Sequence, residues 1–140
     1  MKQRNLKFRA WDKLQNKFLY PYPNGFDILG ETTCFDLIGQ QIKEFTPNLT
    51  TLERLNDVVI TQFTGIYDKN KKEIFEGDIL KVELFTKPYL ITYGNSEKFG
   101  ASFCVESKHS IWYLCKTWAD SSEIIGNIFE NPSLYEVEKL

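Results

Sequence analysis

The sequence predicts a mainly β protein: a single domain with a small barrel at its core, an N-terminal hairpin and a small helical insertion. Three observations carry this. Aromatic residues make up 15% of the 140, with eleven Phe, seven Tyr and three Trp, and such side chains fit the pleated surface of strands. From Val58 onward, short alternating apolar runs recur between turn signals, the pattern of a small barrel or a strongly bent sheet. A hydrophobic content of 42% with a net charge of −2 is a core-forming composition, not a disordered one.

The chain divides into three stretches. Residues 1–25 hold the hairpin. Leu6, Phe8 and Ala10 alternate with Lys7, Arg9 and Trp11; Asp12 to Asn16 reads as a turn, and Lys17 to Tyr20 as the returning strand. Pro21 and Pro23 stop it, and Asn24-Gly25 is a further turn signal. Residues 26–57 differ in character. Thr32 or Thr33 is placed to cap a helix, with Phe35, Ile38, Ile42 and Phe45 near helical spacing and Pro47 ending it. Asn48 to Asn56 reads equally as a second short helix or a loop.

Residues 58–140 form the barrel core and a C-terminal turn. Strands are expected near 58–63, 78–85, 89–93, 101–106, 111–117 and 123–128. The stretch from Gln62 to Val82, QFTGIYDKNKKEIFEGDILKV, organises this part. Gly65 permits a bend. Asp68 to Lys72 has no apolar residue and should be a solvated loop. Gly77 can take positive φ, and Asp78 can bond nearby backbone amides. Leu80, Val82 and Leu84 then alternate with Lys81 and Glu83. A Gly-Asp step into an alternating strand recurs in small SH3-like β-barrels, the form expected for this barrel. Farther on, Gly126 marks a bulge or a close approach, and Asn131-Pro132 starts a single helical turn from which Leu134 packs back.

Three blocks of this sequence resemble one family. LKFRAWDKLQNKFL resembles the start of the YopX family of phage and prophage proteins, QFTGIYDKNKKEIFEGDILKV resembles its most distinctive block, and EIIGNIFENPSLYE its C-terminal signature. They occur in the family order. The resemblance implies a phage- or prophage-encoded protein of the bacterial host cytoplasm with an SH3-type barrel, and it implies no activity. The family's turn usually has Asn-Gly where this chain has Asn70-Lys71, so the loop is expected to be longer or differently bent.

The residues offer little chemistry. Cys34, Cys104 and Cys115 are odd in number and at no metal-like spacing; they read as reduced, mostly buried thiols of a cytosolic protein, with Cys104 and Cys115 on strands. The N-terminus lacks an apolar h-region, and no apolar run approaches membrane-spanning length. His109, the single histidine, sits in a polar loop. Glu73, Glu76 and Asp78 cluster, as do Asp120 and Glu123; such carboxylates could serve a metal-dependent hydrolase, against the plainer reading of Asp78 as a turn cap. No glycine-rich phosphate loop is present.

Two basic clusters, Arg4, Lys7 and Arg9 with Trp11, and Lys69, Lys71 and Lys72, have the charges and ring that a nucleic-acid surface needs. They equally read as a solvated face of an edge hairpin. Trp112, Leu114 and Trp118 alternate with Ile111, Tyr113 and Cys115, so both faces of that strand are apolar. It is either buried on both sides or a self-association surface. The expectation is a non-catalytic binding or accessory module with no catalytic residue, metal or cofactor. Its partner is an unidentified protein or a second copy, with nucleic acid as the alternative and no membrane.

Overall fold

A computed structural model describes residues 1, 6–19, 21–22, 25–27, 34–35, 57–94 and 97–136. It is mainly β with curled sheets. The described strands are β1 (Phe8–Asp12), β2 (Lys17–Leu19), β3 (Pro21–Tyr22), β4 (Gly25–Asp27), β5 (Cys34–Phe35), β6 (Val58–Tyr67), β7 (Glu73–Phe75), β8 (Asp78–Val82), β9 (Pro88–Tyr93), β10 (Phe103–Ser107), β11 (Ser110–Tyr113) and β12 (Ser122–Asn127). Two short helices, α1 (Lys116–Asp120) and α2 (Ser133–Glu136), complete the described elements. Contacts divide the chain into two compact units, Lys7–Thr61 and Met1–Leu6 with Gln62–Leu140, and β6 contributes residues to both.

In the Lys7–Thr61 unit the expected hairpin forms, with Trp11 opposite Phe18 and Asp12 opposite Lys17. Asp12 explains the turn. Its Oδ1 accepts the N–H groups of Leu14 (2.9 Å) and Gln15 (3.1 Å), a local bond pattern that Asp favours. Asn16 takes φ +51°, which Asn tolerates better than most residues. The antiparallel β3-β4-β5 sheet follows. Cys34 and Phe35, expected at the start of a helix, are instead paired with β4. The remainder of both expected helices lies outside the described residues.

The other unit is built on a five-stranded antiparallel sheet in the order β11-β10-β9-β8-β12. Leu80, Val82, Tyr89, Ile91 and Val105 point to one face and close a core with Ile74 and Ala119. The alternation expected for 78–85 holds only to Val82; Leu84 is 86% exposed. The β6–β7 pairing shifts register between Phe63 and Tyr67, around Gly65 at φ +86°. The β12–β8 pairing shifts between Ile124 and Gly126, the bulge expected there.

One element differs from the expected strand pattern. The strand expected over 111–117 ends at Tyr113, and α1 follows. Period-two spacing of Trp112, Leu114 and Trp118 suggested a longer strand. The side chains that decide otherwise are serines: Ser121 Oγ donates to the carbonyls of Thr117 and Trp118, and Ser122 Oγ to that of Ala119. These bonds satisfy the carbonyls left open at a helix C-terminus. The short helix turns Ala119 into the core and stacks Trp118 on Phe85 at 5.4 Å and 14°.

Candidate interaction surface

The central loop is held by a buried acid. Asp68 is 1% exposed. Its Oδ1 accepts the N–H groups of Asn70 (2.8 Å) and Lys72 (2.9 Å), and its Oδ2 accepts that of Ile124 (3.1 Å). Lys69 N–H donates to Ser122 O at 2.9 Å. The loop expected to be merely solvated is therefore bonded along the outer edge of β12. Lys71 takes φ +65°, in a turn closed by its N–H donating to Asp68 O at 3.0 Å and by Asp68 N–H donating to Lys72 O at 2.9 Å, so a side chain sits in the left-handed region that glycine favours. Left-handed backbone costs an L-residue about 1–2 kcal/mol, part of which glycine returns through its freer unfolded chain. Lys71→Gly should therefore stabilise the protein by about 0.5–1 kcal/mol, read as a raised melting temperature or urea midpoint.

Several of the basic residues are engaged within their own unit. Lys69 Nζ lies 3.2 Å from Glu83 and 3.6 Å from Glu123. Hydrogen bonding to Glu83, opposed by some desolvation and aided by Glu123, holds its ammonium above the usual lysine range. Lys71 and Lys72 are exposed. In the other unit, the Arg9 guanidinium sits 4.5 Å over the Phe18 ring and its Nε donates to Thr61 Oγ1 at 3.4 Å. Trp11 is 7% exposed and packs edge-on against Phe18 at 5.0 Å, so its ring offers no stacking platform. Lys7 is half-buried, and Arg4 lies outside the described residues.

The acidic candidates are structural in their contacts. Asp78 is 2% exposed, and its Oδ2 accepts Phe75 N–H at 2.8 Å, the turn cap expected of it. Burial pushes the half-buried Glu76 carboxyl above its usual range, partly opposed by a hydrogen bond from the Gln62 backbone. A carboxyl raised in the folded state binds its proton more tightly there. Its contribution to stability is complete below the unfolded pKa and is lost as pH rises through the folded value. Among the described residues, no group of three or more His, Cys, Asp and Glu side chains converges as a metal site. His109 is exposed at the β10–β11 turn, beside an open concavity of about 500 Å³. Cys104 is buried, but Cys115 is exposed and lies past the end of β11, contrary to its expected place on a strand.

The two edges of the five-stranded sheet differ. The β12 edge is closed by the Asp68 loop and interrupted by the bulge at Gly126. At the β11 edge, no described strand lies beyond. Trp112 is 54% and Tyr113 52% exposed, so the strand expected to be buried on both faces, or else to self-associate, is not buried on both. Phe99 packs on Tyr113 at 4.2 Å, and Tyr93, 44% exposed, packs on Phe103 at 5.0 Å. β11 is short, at four residues, but carries no charge, proline or bulge, three of the devices that blunt an edge strand. Sequence reasoning found these aromatic residues but not their place, since strand order decides which strand is an edge.

Comparison with known proteins gives the following. The family model described as YopX protein matches residues 7–136. Among solved structures, the chain resembles the crystal structure of protein EF1440 from Enterococcus faecalis. The TM-score is 0.57 and the identity 28%, over 95% of this chain and 99% of that one. No curated protein matches. Among the described residues, no helix is long and apolar enough to cross a membrane.

Proposed function

This chain belongs to the YopX family, and from that premise we propose that it is a phage- or prophage-encoded accessory protein, a non-catalytic binding module on an SH3-like barrel, working in the host cytoplasm. The observation that carries the reading is the β11 edge, where Trp112 and Tyr113 are more than half exposed on a strand without charge or proline. Exposed aromatics beside open backbone donors and acceptors are what strand-addition recognition uses. The nucleic-acid alternative is weaker, because Lys69 is engaged by two carboxylates and the Trp11 ring is buried.

Fluorescence anisotropy with single- and double-stranded nucleic acid across a salt series tests the choice. The binding-module reading expects no binding even at low salt. Micromolar affinity that falls steeply with salt, and that Lys72→Glu weakens, would replace it with the nucleic-acid reading.

A further inference from the structure

We propose that the chain self-associates about a two-fold axis by antiparallel pairing of β11 with its counterpart, with Trp112 opposite Trp112. The inference rests on the reading of the β11 edge as the binding surface and names its occupant.

Hydrogen-bond parity selects the register. Leu114 N–H donates inward to Phe103 O at 3.0 Å. Backbone groups of successive strand residues face opposite neighbours, so Ser110 and Trp112 also bond toward β10. The N–H and C=O groups of Ile111 and Tyr113 are left facing outward. In a two-fold register centred on Trp112, Ile111 of each copy stands opposite Tyr113 of the other. Both pairs are of the hydrogen-bonded kind and exchange two bonds each, which satisfies every outward group of both strands.

The side chains agree with that register. Trp112 stands opposite Val105 on the core side of the sheet, whereas Ile111 and Tyr113 stand opposite Glu106 and Cys104 on the other side. A slip of one residue would set outward groups against inward ones and reverse the faces. The central Trp112 pair falls at a non-hydrogen-bonded position, where strands approach most closely and aromatic pairs contribute most. Charge permits the contact too. Glu97, Lys98, Glu106 and Lys108 line the concavity beside Ser110 and Ile111, and Lys116 pairs with Asp120, so identical patches meet without net repulsion. Because a two-fold contact uses the same edge of both copies, it closes on itself at two copies.

Sedimentation of the full chain from low to high micromolar concentration tests this, since so small an interface belongs at the weak end of its class. The wild type should double in mass across the series. Tyr113→Pro should stay at the mass of one chain, because it removes an outward N–H and no inward bond. Tyr113→Lys, which sets a charge on the edge, should do the same if the proline variant does not fold. Trp112→Cys in a Cys115→Ser background should cross-link across the axis under mild oxidation, the paired Cα atoms standing within disulfide range at about 4.5 Å. A wild type that remains a single chain at high micromolar concentration overturns the proposal, as does association unchanged in the Tyr113 variants. Association without the Trp112→Cys cross-link overturns the register. A monomeric wild type that shows no nucleic-acid binding leaves the β11 edge to a strand from another protein, and the module reading stands without this one.

Discussion

Asp68→Ala is expected to lower stability by about 3–4 kcal/mol, a large share of the margin of a domain this size. The carboxylate accepts three backbone N–H groups, those of Asn70, Lys72 and Ile124. Bonds to a charged acceptor contribute about 1.5–3 kcal/mol each, and a buried donor left open costs about 1–3 kcal/mol. The sum falls below three full bonds because Asn70 and Lys72 lie in an exposed loop, where water can replace the lost acceptor. Ile124 N–H, on the half-buried stretch of β12, is less easily compensated. Asp68→Asn keeps one acceptor oxygen and should lose about half as much. Urea denaturation of the two variants reads the difference. Equal losses in both would show that carboxylate bonding is not what fixes the loop. Hydrogen exchange adds a local readout, since Ile124 N–H should lose protection beyond its neighbours in β12.

The role of Asp68 shows where sequence reading stopped. Features encoded within a few residues were legible: the β1–β2 hairpin with its Asp12 turn, the Asp78 cap, the positive φ of Gly77 and the bulge at Gly126. Asp68 was read only as part of a solvated loop because its third donor stands 56 positions away. Loop composition describes solvent on one side and says nothing of a strand on the other. The same limit hid the burial of Trp11, which shares an alternating face with Lys7 and Arg9 in the sequence yet is buried along with its neighbours Ala10 and Asp12. Period two also misled at α1, where Trp112, Leu114 and Trp118 fit a strand although Ser121 and Ser122 bond the carbonyls of a helical turn. The candidate surface was legible as a pair of aromatic residues and illegible as an edge, since an edge is a property of strand order.

Gly77→Ala should cost about 3 kcal/mol, and comparison with Gly126→Ala separates its causes. Gly77 holds φ +87° while its N–H donates to Ile91 O and its carbonyl accepts Ile128 N–H, both at 2.8 Å. The backbone therefore cannot relax to negative φ without breaking both bonds. An added Cβ keeps the strained φ, at about 1–2 kcal/mol, and meets Phe129 Cε2 at 2.9 Å with Ile128 Cγ2 at 3.5 Å. Displacing a ring from a packed site adds about 1–3 kcal/mol. At Gly126 the added Cβ would lie as close, 2.7 Å from Asn131 Oδ1 and 2.8 Å from Leu134 Cδ1, but Leu134 Cδ1 is a side-chain end, Asn131 Oδ1 gives up only a long 3.4 Å bond from Asn127 N–H by turning, and no positive φ is involved. Its loss should be about half that of Gly77→Ala, with the disturbance confined to the packing of α2. A D-alanine at position 77, introduced by semisynthesis, relieves the φ strain and points its methyl group elsewhere. Near-native stability for that variant would assign the Gly77→Ala loss to the L-configuration, through backbone strain and the Phe129 contact together, whereas an equal loss would remove both causes.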